Sequence, residues 1–419
     1  MVSLVSDPGS TELGVDGLAT AADGAPLQIL PEAELAQRAE LNRLAAAPEL
    51  GPRLLFFSGG SALSGLSTLL KRYTHNSIHL ITPFDSGGSS AELRAAFDMP
   101  GFGDLRSRLT ALVSDNLEGS SEVCALFEHR LPREAHTKAL QGTLLALVQG
   151  DHPLLAGIPA ALKLPISQSL RRLVDQLPPS FDLQGASIGN LILAGAYIQH
   201  GHSLNQTLKF FVDLLKVEGT VRAIVDKTLH LAATLDNGNL LVGQHQLTGK
   251  ERPPITAPIA SLFLTERVVD PLPASVELPA ENVDLIASAQ LLCYAPGSFY
   301  SSLMANFLPQ GVASAIAGNP CPKVWLPNLG VDPEQLHLSF DAVLKTLLAQ
   351  LMSGGEAKSP SAVLTHVLVD SRNGDYAFPI CSELFETAGI ELVDIPLVTD
   401  RSAPYYDDRL LLNALLSLV

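Results

Sequence analysis

Three short turns in this sequence combine glycine with hydroxyl side chains: Ser58-Gly59-Gly60-Ser61, Asp85-Ser86-Gly87-Gly88-Ser89-Ser90, and Pro296-Gly297-Ser298 running on to Ser301-Ser302. Glycine lets a backbone approach a ligand closely, and free peptide N–H groups at the start of a helix favour an anion. Serine hydroxyls add donors without adding charge. The chemistry that fits is the holding of phosphates. One such turn is weak evidence, because small residues are common where a strand passes into a helix. Three on one edge of a sheet would converge on one ligand.

Polar residues beside these turns extend the candidate site. Asp85 stands at a strand end just before two glycines. There a carboxylate either holds Mg²⁺ on a diphosphate, or a ribose hydroxyl, or it caps the following helix. Asp104 and Arg106, in Gly-Phe-Gly-Asp-Leu-Arg, read as a site acid and a phosphate-binding cation, or equally as a helix cap and a surface arginine. Asn190 opens an otherwise apolar helix, where it caps or touches ligand. Tyr300 in the third turn and Asn328 at the end of the run 323–328 are counted with the site.

Other chemistries find little support. The eleven histidines include no HExxH, and the His200/His202 pair reads as a solvated turn. A GxSxG elbow and a GxxxxGK[ST] loop are absent, and Gly59-Gly60 does not complete GxGxxG, so hydride transfer is not expected. A net charge of −16 argues against a nucleic-acid polymer as partner, though not against a single nucleotide. Cys124, Cys293, Cys321 and Cys381 form no CxxC pair, which predicts free thiols in a reducing compartment. The first twenty residues lack the basic and apolar segments of a secretory signal, and no apolar run reaches about 18 residues. A soluble cytoplasmic protein that forms a homodimer and contacts no membrane is expected.

The elements that must position these residues read as alternating strands and helices. Residues 1–50 are a tail followed by a helix from Pro31, and 51–419 form one α/β domain. Apolar runs at 53–58, 77–82, 285–294, 323–328 and 365–370 predict buried parallel strands. Residues about 105–180 are a helical insertion, and a helix closes the chain from Asp407. A β-rich accessory part spans about 217–250, with strands at 220–225, 230–235 and 240–245 in a local antiparallel patch and a hairpin turn at Asp236-Asn237-Gly238. The predicted fold is therefore a Rossmann-like three-layer α/β core with a mainly parallel sheet, a helical insertion and a small antiparallel patch.

Five segments in order, FSGGSALSGLSTLL (57–70), ITPFDSGGSSAELR (81–94), PGFGDLR (100–106), SIGNLILAGAYI (187–198) and APGSFYSSLMANFL (295–308), resemble the motifs of the CofD/YvcK-like family. The resemblance runs from about residue 53 to the C-terminus, and its wording is similar to the branch described as CofD-like proteins of the GAK system. It implies a nucleotide-diphosphate site in the crevice of a Rossmann-like core. CofD enzymes transfer a phospholactyl group from a guanosine-diphosphate donor to a deazaflavin with Mg²⁺, whereas YvcK-type members bind UDP-sugars without an established reaction. Carried over by position, Gly59, Gly60, Asp85, Gly87, Gly88, Ser89, Asn190, Gly297 and Ser298 are the implied ligand residues. Departures are visible: the family's paired aspartates are Asp85-Ser86 here, the first turn carries extra residues up to Ser64, and the CofD AEDxW sequence is absent. Deazaflavin synthesis is not expected. A nucleotide or nucleotide-sugar of the GDP or UDP type is the expected ligand, with Asp85 as the candidate metal ligand.

Overall fold

In the computed structural model, which describes residues 18–20, 26–28, 32–60, 62–380 and 383–419, the run Leu54–Ser58 is a strand buried along its whole length. Its residues alternate between two layers, as the two-residue period of a strand requires. Leu55 and Phe57 face one core with Leu80 and Tyr294, while Leu54 and Phe56 face another with Leu66, Leu70 and Leu411. Burial on both faces explains the continuous apolar run.

The strands in chain order are β1 (Leu18–Thr20), β2 (Pro26–Gln28), β3 (Leu54–Ser58), β4 (Ile78–Ile81), β5 (Thr220–Ala223), β6 (His230–Leu235), β7 (Leu240–Val242), β8 (Ile259–Thr265), β9 (Leu291–Tyr294), β10 (Lys323–Trp325), β11 (His366–Val369) and β12 (Glu391–Asp394). Seven of them form a parallel sheet in the order β12-β11-β10-β9-β3-β4-β5. The chain works outward from β3 to β5, then returns to the other side of β3 and works outward from β9. The carboxyl ends of β3 and β9 therefore flank the point where strand order reverses, the crevice in which open α/β sheets bind ligands. The first and third glycine turns follow these two strands, and the second follows β4.

A second core joins Ile81, Val221 and Ala223 of the sheet to the helices Gly103–Ala111, Ser120–Glu128, Thr137–Gln149, Ala160–Val174, Ile188–Gln199 and Leu204–Leu214. Ile188–Gln199 is buried along nearly its whole length, which accounts for a sequence that is apolar apart from Asn190 and the terminal Gln199. β6, β7 and β8 make a separate antiparallel sheet in the order β7-β6-β8. Gly238, at a φ of +83°, turns the β6–β7 hairpin as the Asp-Asn-Gly sequence predicts.

Three expectations need correction. The run 220–225 does not belong to the antiparallel patch; β5 pairs in parallel with β4 at the edge of the main sheet. The third strand of the patch is Ile259–Thr265. The run 285–294 is not all strand, because the helix Ala280–Ser288 takes its first half. That helix turns inward Asn282 and Ile286, one turn apart, and Asn282 Nδ2 donates to the carbonyls of Ala223 (2.9 Å) and Ile224 (3.1 Å) at the end of β5. β12, the short edge strand, carried no distinctive pattern.

In the N-terminal stretch β1 and β2 pair antiparallel and the helix Glu32–Ala46 follows; Pro31 and the rest of the expected tail lie outside the described residues, as does Cys381. Among the described residues no helix is long and apolar enough to cross a membrane.

Arg94, buried on the helix Gly88–Phe97, ties the second turn to the antiparallel sheet. Its Nη2 donates to the Leu229 carbonyl (2.7 Å) and meets His230 Nδ1 at 2.8 Å. Burial, and then the Arg94 charge, hold His230 down at about 4, so its ring is neutral and accepts. Hydrogen bonds to a charged group contribute about 1.5–3 kcal/mol. Arg94→Met should lower unfolding stability by that amount in urea denaturation; an unchanged midpoint would show that the junction is not held here.

Candidate functional site

The first turn is held from beneath by a residue that sequence reading passed over. Arg108, on the helix Gly103–Ala111, is fully buried. Its Nη2 donates to the carbonyls of Gly59 (3.3 Å) and Gly60 (3.1 Å), and its Nη1 to the carbonyl of Leu63 (2.9 Å) and to Ser67 Oγ. The carbonyl side of the turn is thus occupied, and the Gly60 amide faces Asp104. A side chain on either glycine would collide: a Cβ on Gly59 would lie 2.7 Å from Ser302 Oγ, and one on Gly60 2.7 Å from Asp104 Cα. Ser61 lies outside the described residues. The spacing of Asp104 and Arg108, four residues apart on one helix, was the available signal.

The second turn is built on a relay of polar side chains. Asp85 Oδ1 accepts from the Gly87 amide (3.1 Å) and Oδ2 from Ser90 Oγ (2.6 Å). Asn190 Nδ2 donates to Ser89 Oγ (3.1 Å) and Ser90 Oγ (3.4 Å), and its Oδ1 accepts from Arg106 Nε (3.0 Å). Arg106 also donates to the Phe127 carbonyl at 3.1 Å. Asn190 and Arg106 are nearly buried, so they position the turn from behind. Ser187, not Asn190, caps the helix Ile188–Gln199. Ser86 Oγ meets His245 Nδ1 at 2.8 Å, and a Cβ on Gly87 would lie 2.8 Å from a Glu251 oxygen. Gly88 has a φ of +48°, left-handed backbone that suits glycine. His245 and Glu251, from the segment after β7, had no motif to reveal them.

Asp104 is where the electrostatics concentrate. Burial, then the neighbouring Asp85 carboxylate, push it up to about 7, against the pull of Arg108, the Gly60 amide and Lys250. Its Oδ2 is shielded and has no hydrogen-bond partner. Gly103 is pressed against Asp85, a Cβ there falling 3.3 Å from Asp85 Cγ. Asp104 therefore supplies beside Asp85 the second carboxylate that the Asp85-Ser86 sequence lacks. Two carboxylates with an orphaned oxygen suit a hard cation, and Mg²⁺ is commonly held by one or two carboxylates plus phosphate oxygens. Among the described residues no group of three or more His, Cys, Asp or Glu is arranged to hold a metal by itself.

The third turn differs from the other two. Pro296, Gly297 and Ser298 are partly exposed, and Gly297, at a φ of +143°, faces Ser302 and Ala62. Asn328 grips the Gly297 peptide from both sides, accepting from its amide (2.6 Å) and donating to its carbonyl. The next amides are already satisfied by buried carboxylates: Phe299 donates to Asp332 (2.7 Å), and Tyr300 and Ser301 donate to Glu334 (2.8 Å each). Burial and the adjacent Asp332 push Glu334 up to about 7. The Tyr300 side chain is 5% exposed and packs in the main core. A cavity of about 350 Å³, between Leu235, Leu241, Arg252 and Ile255, is lined by none of the turn residues.

Comparison with known proteins supplies the context. The family described as 2-phospho-L-lactate transferase CofD matches residues 54–380. The chain is 28% identical to the gluconeogenesis factor of Bacillus subtilis strain 168 over 303 residues, 71% of this chain and 74% of that one. It is 25% identical to a putative gluconeogenesis factor of Thermoanaerobacterium thermosulfurigenes over 84% of this chain and 92% of that one. A UPF0052-family protein from Bacillus halodurans, solved at 2.60 Å, superposes with a TM-score of 0.64 at 20% identity, covering 87% of this chain and 99% of that one.

The raised Asp104 gives a pH test. Its proton is held up to about 7 in the folded chain against an ordinary value of 3.8. The stability it confers is complete below the lower value and is lost as pH rises through the higher one. In EDTA, Asp104→Asn should raise the melting temperature more at pH 8 than at pH 5; an equal change at both pH values would contradict the assignment.

Proposed function

Because this chain belongs to the CofD family, we propose that its crevice binds a nucleoside diphosphate or nucleotide-sugar at the carboxyl edge of the sheet. One observation carries the reading. Two glycine turns whose undersides are already anchored, by Arg108 and by the Arg106–Asn190 relay, follow the neighbouring strands β3 and β4, the first of them where strand order reverses, with the Asp85–Asp104 pair beside them. Phosphate oxygens accept from the Gly88 and Ser89 amides at the start of the helix Gly88–Phe97, and compete with Asp104 and Asp85 for those of Gly60 and Gly87. Asp85 and Asp104 would hold Mg²⁺, which supplies charge neutralisation to the diphosphate. Lys250, whose charge reaches both Asp104 and Asp332, adds a cation from the antiparallel side. The free thiols of Cys124, Cys293 and Cys321 support a cytoplasmic setting.

Binding is the leading reading, and the relatives named gluconeogenesis factors make a regulatory role its natural extension. The second reading, a transferase moving a phosphoryl-linked group from a nucleoside-diphosphate donor, is favoured by the paired carboxylates. In it the turns orient the diphosphate, and catalysis is positioning and electrostatic stabilisation.

A thermal-shift panel of GDP, GTP, UDP and UDP-sugars, with and without Mg²⁺, tests both. A ligand at about 100 times its dissociation constant stabilises the fold by roughly 2.7 kcal/mol, so a true ligand should give a clear shift. Asp85→Asn should abolish the Mg²⁺-dependent part of it. Turnover of a Mg²⁺-dependent guanosine donor would select the transferase, and no shift with any nucleotide would refute the binding site.

A further inference from the structure

The segment that follows β7 runs over the second turn and is fixed at several points. Gly243, at a φ of +104°, donates its amide to the Leu231 carbonyl (2.7 Å). The His245 ring meets Ser86 Oγ at 2.8 Å, and the His245 amide donates to the same oxygen (3.3 Å). Leu247 is fully buried in the main core. Gly249, at a φ of +66°, lies against Pro333, a Cβ there falling 3.3 Å from Pro333 Cβ. Ile255 returns the chain to the core. Residues 243–255 thus form a strap between the second turn and the segment that carries Asp332 and Glu334, the wall of the third.

Glu251, on this strap, lays its carboxylate on the second turn. Its Oε1 lies 2.8 Å, and its Cδ 3.3 Å, from where a Cβ on Gly87 would stand. The same oxygen is 3.8 Å from that point on Gly88, and Arg130 Nη1 is 4.0 Å from it. Asp85 already takes the Gly87 amide (3.1 Å), so the carboxylate sits over the residues whose amides open the helix Gly88–Phe97. A helix start with an arginine beside it favours an anion. The same features recommend the place to a phosphate. Two anions in contact repel, and more strongly where water is scarce. A phosphate bonded to the Gly88 and Ser89 amides must therefore displace Glu251. Lys250, the preceding residue, brings its charge to Asp104 and Asp332. The strap so offers a cation to the carboxylates and an anion to the helix start, the charge pattern of a metal-bound phosphate. Both side chains are exposed, so they can swing away into solvent.

We infer that Glu251 is an internal competitor for the phosphate position of the second turn, and that the strap thereby sets how much ligand is needed to fill the crevice. This role presupposes the nucleotide reading above and adds a regulating residue to it.

Calorimetric titration of the full chain with UDP, GDP and inorganic pyrophosphate, in the presence of Mg²⁺, tests it. Glu251→Gln removes the charge at unchanged size, and Glu251→Ala removes the bulk as well. Each should bind at least one of the three probes about five-fold more tightly than the parent chain, the scale of a charge removed from a helix start. Glu391→Gln takes the same charge from β12, at the far edge of the sheet, and should bind as the parent does. Unchanged or weaker binding by Glu251→Gln would overturn the role. So would an equal gain in Glu391→Gln, or a gain confined to Glu251→Ala, which would report bulk and not charge. If pyrophosphate shows the gain while UDP and GDP bind to none of the chains, the nucleotide reading falls and the competitor stands. If no probe binds to any chain, both fall.

Discussion

The site depends on a guanidinium buried beneath a glycine turn. Arg108 has no exposed surface, and burial lowers it to about 10, yet Asp104 beside it favours the charged form. A charge in that position persists only when it is well bonded, and both Nη atoms are, though Nε has no partner. Here the carbonyls of Gly59, Gly60 and Leu63 and the hydroxyl of Ser67 provide the bonds. The reverse dependence holds as well: with their carbonyls turned to Arg108, the two glycines hold one orientation. The turn after β3 is set before any ligand arrives, so less ordering has to accompany binding.

The same economy separates the three turns. The turn after β4 rests on Arg106, Asn190, Ser89 and Ser90, and its Gly87 amide is bonded to Asp85. The turn after β9 is met by carboxylates from the segment after β10, Asp332 and Glu334, which occupy the amides of Phe299, Tyr300 and Ser301. Those internal carboxylates do for the backbone what a phosphate does elsewhere, and they make the third turn a wall. The Asp85–Asp104 pair works the other way. It pushes Asp104 up to about 7 and leaves one of its oxygens without a partner.

Much of this was legible in the residues. The apolar runs of β3, β4 and β11 and the glycines closing the first two showed buried parallel strands, because both faces of such strands must be covered. Short range misled at 220–225 and 285–294. A four-residue strand at the edge of a parallel sheet has the same local pattern as a hairpin strand, and an amphipathic helix running into a strand gives one continuous apolar stretch. Type and spacing singled out Asp85, Asp104 and Gly59-Gly60, which the fold brings close together. Arg106 and Arg108 lie two residues apart in one motif, and only packing shows that the first supports Asn190 and the second the glycine turn. Asp332, Glu334, His245 and Glu251 come from segments distant in sequence, and nothing local connects them to the turns they touch.

Amide hydrogen exchange, with and without saturating Mg²⁺ and GDP or UDP-glucose, tests the central claim most directly. The account requires slowed exchange in the Gly88 and Ser89 amides on ligand addition, and no change at Phe299, Tyr300 and Ser301, whose amides are bonded to Asp332 and Glu334. Protection confined to residues 235–256, or to the 299–301 amides with the first two turns unaffected, would contradict it.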